Sequence, residues 1–256
     1  MLLRRITKHV KEQNWFAVGI DFVIVVIGVF IGIQVSNWNE TRTDTIREKV
    51  ILTDLLDDLT ADQGALSSSL QLVTLGIDAS NVLLMDADLE PILSLSVPGQ
   101  SSIFSSDVLN VALPSKPTED VRRELWTRST VRIYPSHNDA TIESLIAADN
   151  SSIIQDETLV RDLLRYRTLW TGVEDAQVNT FRPFRDRLIF TGQEHGFSPL
   201  ISIDHDVLVE ALRTDAVLRG ALRTMVSYTI AQQGYYERIQ QEAEALATRV
   251  EAELEK

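Results

Sequence analysis

"VIVVIGVFIGIQVSNWNE", residues 23–40, is an almost uninterrupted apolar stretch that ends at a tryptophan between two asparagines. The apolar window around it runs from Phe16 to Val35, which is twenty residues. A helix rises about 1.5 Å per residue, so roughly 20 residues cross a hydrocarbon layer of about 30 Å. Tryptophan flanks the window on both sides, as it does at membrane interfaces. The stretch therefore predicts a transmembrane helix over residues 16–36, in contact with the lipid bilayer.

Two other kinds of segment share this composition. A cleaved signal peptide has a shorter apolar region and small residues before its cleavage site, whereas this run leaves through Gln34, Val35 and Ser36. A buried core helix does not explain the basic residues that precede the run. These basic residues are Arg4, Arg5, Lys8 and Lys11. We therefore predict an uncleaved anchor.

The flanking charges indicate an orientation. Four Lys/Arg precede the span and three follow it closely, at Arg42, Arg47 and Lys49, and basic residues favour the cytoplasmic side. We predict that residues 1–15 form a short basic cytoplasmic tail and that residues 37–256 lie in the periplasm. The absence of cysteine agrees with an oxidising compartment.

The charge of the chain argues against nucleic acid as a partner. Residues 1–15 contribute +3 to the formal net charge of −13, which leaves −16 for the remainder. A domain this acidic repels phosphate backbones and anionic lipid. We therefore predict no nucleic-acid binding.

The exit from the apolar run resembles that of an uncharacterised bacterial family, domain of unknown function 6090. In that family an acidic residue precedes an apolar run ending in Gln-x-x-Asn-Trp-Asn-Glu. The matching positions here are Asp21, Gly28, Gln34, Asn37, Trp38, Asn39 and Glu40. A second stretch, "RRELWTRSTVRIYP" at residues 122–135, resembles a shorter family segment but lacks its glycine. The resemblance implies a bacterial single-span protein with a helical extramembrane domain, and it supplies no catalytic residues.

One face of the predicted span carries small and polar residues. At 100° per residue, Asp21, Gly28 and Gly32 lie within about 40° of one another, and Val25 continues the same stripe. Glycines four apart allow two helix backbones to approach closely in lipid. We predict that Asp21, Val25, Gly28 and Gly32 pack against another transmembrane helix. The sequence leaves open whether that helix belongs to a second copy or to a larger complex.

A long amphipathic helix follows the span, predicted for about residues 40–88. Apolar residues recur on three- and four-residue steps, with Gln63 and Ser80 in the gaps. The stripe consists of Leu52, Leu56, Leu59, Leu66, Leu70, Val73, Ile77 and Leu84. The opposite face carries Asp54, Asp57, Asp58 and Asp62. This acidic run lacks the loop glycine and closing glutamate of a calcium site, so we predict a solvated helix face.

The rest of the chain predicts further helices. Prolines make residues 90–117 mostly irregular, with a short strand or partner-binding loop in "SSIFSSDVLNVALP". Shorter helices follow over about 118–190, with a kink or restart at Pro183. A final helix, predicted for about 205–254, begins at Asp204 or Asp206. The predicted fold is all-α: one transmembrane helix, then an elongated bundle with two long antiparallel helices.

No motif indicates catalysis. The chain has four histidines without metal-ligand spacing, no nucleophile motif and no phosphate-binding loop. Asp204, His205 and Asp206, near His195, are explained by a capped helix start, and Arg122, Arg123 and Arg128 by pairing along a helix. We predict no enzyme, no metal site and no cofactor.

Two function classes remain. The first is a membrane-anchored interaction or accessory protein, a subunit or scaffold of a larger inner-membrane assembly. The second is a periplasmic sensor-like ligand-binding domain, which would need a partner protein because fifteen residues before the span cannot hold an output domain. The first is the favoured prediction.

Overall fold

The computed structural model describes residues 15–99, 103–147 and 153–255. The basic tail predicted for residues 1–15 lies, except for Trp15, outside this range. The chain divides into two compact units, Met1–Val50 and Ile51–Lys256. The predicted all-α class is confirmed, because helices dominate and the two described strands have three residues each.

The first helix, α1, spans Trp15–Asp86 and contains 72 residues. The segment has no proline that would interrupt its hydrogen bonds. It ends in a Schellman motif, in which Asp88 N–H donates to the Met85 carbonyl (3.0 Å) and Leu89 N–H to the Leu84 carbonyl (2.8 Å). Asp88 has a φ of 62°, the left-handed conformation that this motif requires. The sequence thus places an aspartate where glycine is the usual residue.

A two-stranded antiparallel hairpin follows α1. Strands β1 (Ser94–Ser96) and β2 (Val108–Asn110) pair with Leu95 opposite Leu109. A Cβ added at Gly234 would lie 3.0 Å from a Leu109 methyl carbon, so glycine at this position lets the hairpin lie close against the last helix. The segment predicted to be mostly irregular therefore contains a short hairpin.

The middle of the chain forms several helices separated by short connections. They are α2 (Glu119–Thr130), α3 (Ala140–Ala147), α4 (Glu157–Ala176), a π-helical turn (Gln177–Phe181) and α5 (Arg182–Gln193). Asp156 caps α4, because its side chain accepts hydrogen bonds from the Thr158 and Leu159 N–H groups.

The π-helical turn lies directly before Pro183. Proline lacks an N–H group and its ring clashes with the carbonyl four residues earlier in an α-helix. A π turn adds one residue to the helical repeat and so relieves the local constraint. It also shifts the buried face by one position, so that Phe181 is buried and Thr180 only half-buried.

The predicted C-terminal helix over 205–254 is wrong in one respect, because the structure has two helices there. These are α6 (His205–Thr214) and α7 (Ala216–Leu254). The Asp215 side chain accepts hydrogen bonds from Val217 N–H (2.7 Å) and Leu218 N–H (3.3 Å). Asp215 is therefore the N-cap of a new helix and has an extended backbone, which ends α6.

Three helical stretches form the core of the unit Ile51–Lys256: the C-terminal part of α1, α4 with α5, and α7. Helix α7 runs antiparallel to α4 and α5. Arg249, near the end of α7, pairs with Asp156 at the start of α4 (2.9 Å), whereas Tyr228, earlier in α7, stacks on Phe184 of α5 with ring centroids 4.0 Å apart. The start of α7 lies beside the end of α1, where Arg223 donates to the Glu90 carbonyl (3.0 Å).

Buried residues in α1 follow a heptad spacing of alternating three and four residues. This series comprises Leu52, Leu55, Leu59, Asp62, Leu66, Ser69, Val73, Gly76, Ser80 and Leu83, and the last turns of the helix also bury Ile77, Ala79, Asn81, Val82 and Leu84. The predicted stripe included Leu56, Gln63 and Leu70, which are only half-buried. Residues 55 and 56 are both leucine, so hydrophobicity alone does not show which of them belongs to the buried stripe. The packing buries Leu55 and leaves Leu56 half-buried.

Candidate functional site

The main candidate site is the exposed apolar face of α1 within the unit Met1–Val50. Every residue from 19 to 43 is exposed, and large side chains such as Phe22 (68%) and Phe30 (62%) are no exception. Soluble proteins seldom leave such a continuous apolar surface open. Among the described residues, α1 is the one helix long and apolar enough to cross a membrane.

The predicted packing residues lie on this exposed helix. Asp21, Val25, Gly28 and Gly32 fall within about 60° of arc at 100° per residue. A Cβ added at Gly28 or Gly32 would meet no atom within 4 Å. The stripe is therefore open to another helix, and nothing in the structure tests its role.

The exit residues also lie within α1. The helix continues through Gln34, Asn37, Trp38, Asn39 and Glu40 without interruption. Thr41 and Thr43 donate their hydroxyl protons to the Asn37 and Asn39 carbonyls, each at 2.9 Å. These bonds satisfy the hydroxyls inside the helix. Trp38 is 66% exposed, which suits an aromatic side chain at a membrane interface.

A buried polar cluster in the other unit was missed by the sequence reasoning. Asp62 is 1% exposed, so the predicted solvated face is wrong at this residue. Asp58 is half-buried and accepts a hydrogen bond from Thr141 N–H, whereas Asp54 and Asp57 are exposed. The Asp62 carboxylate accepts hydrogen bonds from Tyr166 Oη (2.8 Å) and Asn138 N–H (2.9 Å). His137 Nδ1 lies 2.8 Å from the same carboxylate. The signal that finds Asp62 is its heptad position, seven residues after Leu55 and four before Leu66.

The Asp62 cluster holds the α2–α3 connection against α1 and α4. The His137 ring stacks on Trp170 with centroids 4.9 Å apart and planes 7° apart. Burial, together with the adjacent Asp62 charge, raises the pKa of Tyr166 above its ordinary value of 10.0. A carboxylate beside an imidazole is a known acid–base arrangement, but the side chains of His137 and Asp62 are only 5% and 1% exposed. This enclosed geometry suits a structural bridge.

Arg132 forms a second buried polar feature. It is 7% exposed, and its guanidinium donates to the carbonyls of Arg128 (3.0 Å) and Val131 (2.8 Å) and to Thr229 Oγ1 (3.1 Å). Burial lowers its pKa to about 10, so it stays charged at neutral pH. The carbonyls at the end of α2 carry partial negative charge and stabilise this cation.

Two groups of residues considered from the sequence meet in one cavity. Arg122 and Arg123 of α2 lie with Asp204, His205 and Asp206 around a space of about 460 Å³. Asp204 is occupied as the α6 N-cap, and His205 Nε2 lies 3.1 Å from Asp86 Oδ2. His195 is elsewhere, 2.8 Å from Asp215.

No metal centre emerges from these histidines and carboxylates. Within residues 15–99, 103–147 and 153–255, no group of three or more His, Asp or Glu side chains could hold a metal ion.

The fold and the exposed run thus define a helical protein in which one helix of the described part of the chain is long and apolar enough to span a membrane. Residues 21–92, which are 72 of the 256, match the model of a family of unknown function, DUF6090. The predicted resemblance to this family is confirmed over that range, which runs from Asp21 through α1. The stretch at residues 122–135 lies outside the match and stays a prediction. No curated protein and no solved structure matches the chain.

Proposed function

We propose that the protein is a membrane-anchored, non-catalytic interaction protein, a subunit or scaffold of a bacterial inner-membrane assembly. Its N-terminal helix docks against other transmembrane helices, and residues 37–256 form a periplasmic helical domain. The observation that supports this proposal is the exposure of residues 19–43, which leaves a long apolar helix without contacts of its own.

The stripe of small and polar residues supports docking rather than anchoring alone. An anchor needs only apolar side chains, whereas Asp21 is disfavoured in lipid unless it has a partner or a proton. Gly28 and Gly32 remove side-chain bulk on the same face, so a second backbone can come close.

Co-purification from the native membrane tests the proposal. We would extract the full-length protein in a mild detergent and identify stoichiometric partners by mass spectrometry. Wild type is compared with Asp21→Leu and Gly28→Leu, and Gly19→Leu is the matched control because it lies about 160° from Asp21 on the helix. We expect partners to be lost in the first two variants and kept in the control. A wild-type protein that purifies alone contradicts the proposal.

The proposed orientation is tested separately. Because the chain contains no cysteine, a single cysteine reports one position only. Ser94→Cys, at the exposed β1 strand, should react with a membrane-impermeant maleimide in intact spheroplasts. Labelling that requires lysis would place this domain in the cytoplasm.

A sensor-like ligand-binding domain acting through a partner protein is the second candidate. The cavity beside Arg122, Arg123 and His205 favours it, because it combines charged groups with space for a small molecule. A solitary protein whose Tm rises with a small ligand would support this candidate over the first.

A further inference from the structure

The stripe formed by Asp21, Val25, Gly28 and Gly32 continues past the membrane exit at Trp38. At 100° per residue, Asn39, Thr43, Ile46 and Val50 fall within the same arc of about 60° as Gly28 and Gly32. Ile46 is 57% and Val50 56% exposed, and both come after the apolar run, which ends before Trp38. The Thr43 hydroxyl donates to the Asn39 carbonyl (2.9 Å), so this side chain adds a methyl group and no free donor to the face.

This segment has the spacing of a short coiled coil. Asn39, Thr43, Ile46 and Val50 are four, three and four residues apart, as a and d positions are. The flanking e and g positions are Glu40, Arg42, Arg47 and Lys49, three cations and one carboxylate. Flanking charges decide which helix a coiled coil accepts.

The charge of these flanks argues against a second copy as the partner. A parallel pair of identical helices places the g residue of one chain near the e residue five positions on in the other. Arg42 would then face Arg47 of the second copy twice by symmetry, and like charges at such positions are unfavourable. The next pair, Lys49 with Asp54, has opposite charges but lies beyond this segment, because α1 buries Leu52 and Leu55 after Val50 and the exposed stripe ends there. A helix with carboxylates at these positions fits instead.

We infer that the face formed by Asn39, Thr43, Ile46 and Val50 binds a helix of a different membrane protein, one with Asp or Glu flanking an apolar seam. This inference rests on the proposed function, because two heptads pair weakly unless both helices are held in one membrane. The span would supply proximity, and the charged segment would supply the choice of partner.

Site-specific photocrosslinking of the full-length protein in its native membrane tests the inference. A photoreactive residue at Ile46 should crosslink to a different protein, and one at Glu48 on the opposite side of the helix should not. Mass spectrometry should map the crosslink to a segment with acidic residues beside apolar ones. Arg42→Glu combined with Arg47→Glu should reduce the yield about tenfold, since two attractive pairs become repulsive.

Several outcomes would overturn the inference. These are a crosslink at Ile46 to a second copy, an unchanged yield after charge reversal, or no crosslink at Ile46 at all. A probe at Gly28 separates this failure from failure of the proposed function. A partner captured at Gly28 but not at Ile46 would support docking of the span and contradict binding at the face formed by Asn39, Thr43, Ile46 and Val50. No partner at either position would contradict both proposals. Helical circular dichroism of the double variant checks that it folds.

Discussion

Two glycines in α1 should respond in opposite ways to the same substitution. Alanine in a helix interior is favoured over glycine by about 0.5–1 kcal/mol, because glycine loses more backbone freedom on folding. A Cβ at Gly64 would meet no atom within 4 Å, and the residue is exposed. Gly64→Ala should therefore raise the free energy of unfolding by about 0.5–1 kcal/mol.

Gly76→Ala should lower the free energy of unfolding. The added Cβ would lie 2.7 Å from Nη1 and 2.8 Å from Cζ of Arg132. Restoring an ordinary contact requires the guanidinium to move by about 0.7 Å, since carbon atoms pack best at about 3.5 Å or more. That movement weakens hydrogen bonds to the Arg128 and Val131 carbonyls. A charged hydrogen bond contributes about 1.5–3 kcal/mol, so after the gain in helix propensity we expect a net loss of about 0.5–2.5 kcal/mol.

Thermal unfolding of both full-length variants in one detergent measures the contrast. For a domain of this size about 1 kcal/mol shifts Tm by roughly 2–4 °C, and the two variants differ by the weakened hydrogen bond, about 1.5–3 kcal/mol, so their Tm values should differ by about 3–12 °C. Arg132→Met should remove the clash, and a double-mutant cycle should show coupling between residues 76 and 132. Equal Tm values for the two alanine variants would refute the packing argument.

Three further substitutions test other parts of the structure. Asp88→Gly should raise the urea midpoint and Asp88→Ala should lower it, because the left-handed φ of residue 88 favours glycine. Both variants lose the ion pair with Arg213, which is exposed and contributes little to stability. Equal midpoints for the two variants would contradict this. Asp62→Ala should lower the free energy of unfolding by about 3 kcal/mol, measured by urea titration, because several buried donors lose their acceptor. Tyr166→Phe should flatten the loss of Tm above pH 10. Burial raises the pKa of the folded tyrosine, so the unfolded chain releases this proton first and stability falls as pH rises; identical pH profiles would count against it.

The sequence predicted the helices of the bundle better than their buried faces. Periodic leucines identify a helix wherever they occur, because their spacing alone gives the period. Asp62, Thr229 and Gln232 occupy buried heptad positions, yet hydrophobicity ranks all three as surface residues. Their burial depends on partners far along the chain, such as Tyr166 for Asp62 and Arg132 for Thr229. One chain read in order does not show those partners.

Interruptions in the helices divide into local and tertiary ones. Asp215 caps α7 through its own neighbours, so the break was accessible from an aspartate at the edge of the apolar stripe. The π turn is different. Pro183 predicts an interruption of the helix. Whether the helix ends, bends or gains a residue depends on which side chain packs into the core, and here Phe181 is buried.

The two units satisfy their apolar residues in different ways. In Ile51–Lys256 the apolar stripe of α1 is buried, and the polar residues Asp62 and Arg132 are buried with hydrogen-bond partners. In Met1–Val50 the apolar residues from Ile20 to Val50 stay exposed, and their exposure continues past the exit at Trp38 to Ile46. Lipid can cover the run before Trp38, but it does not reach an apolar face set among arginines and lysine beyond the interface. The partner helix inferred above would cover Ile46 and Val50, and in that arrangement the basic residues Arg42, Arg47 and Lys49, rather than the span, would select the partner.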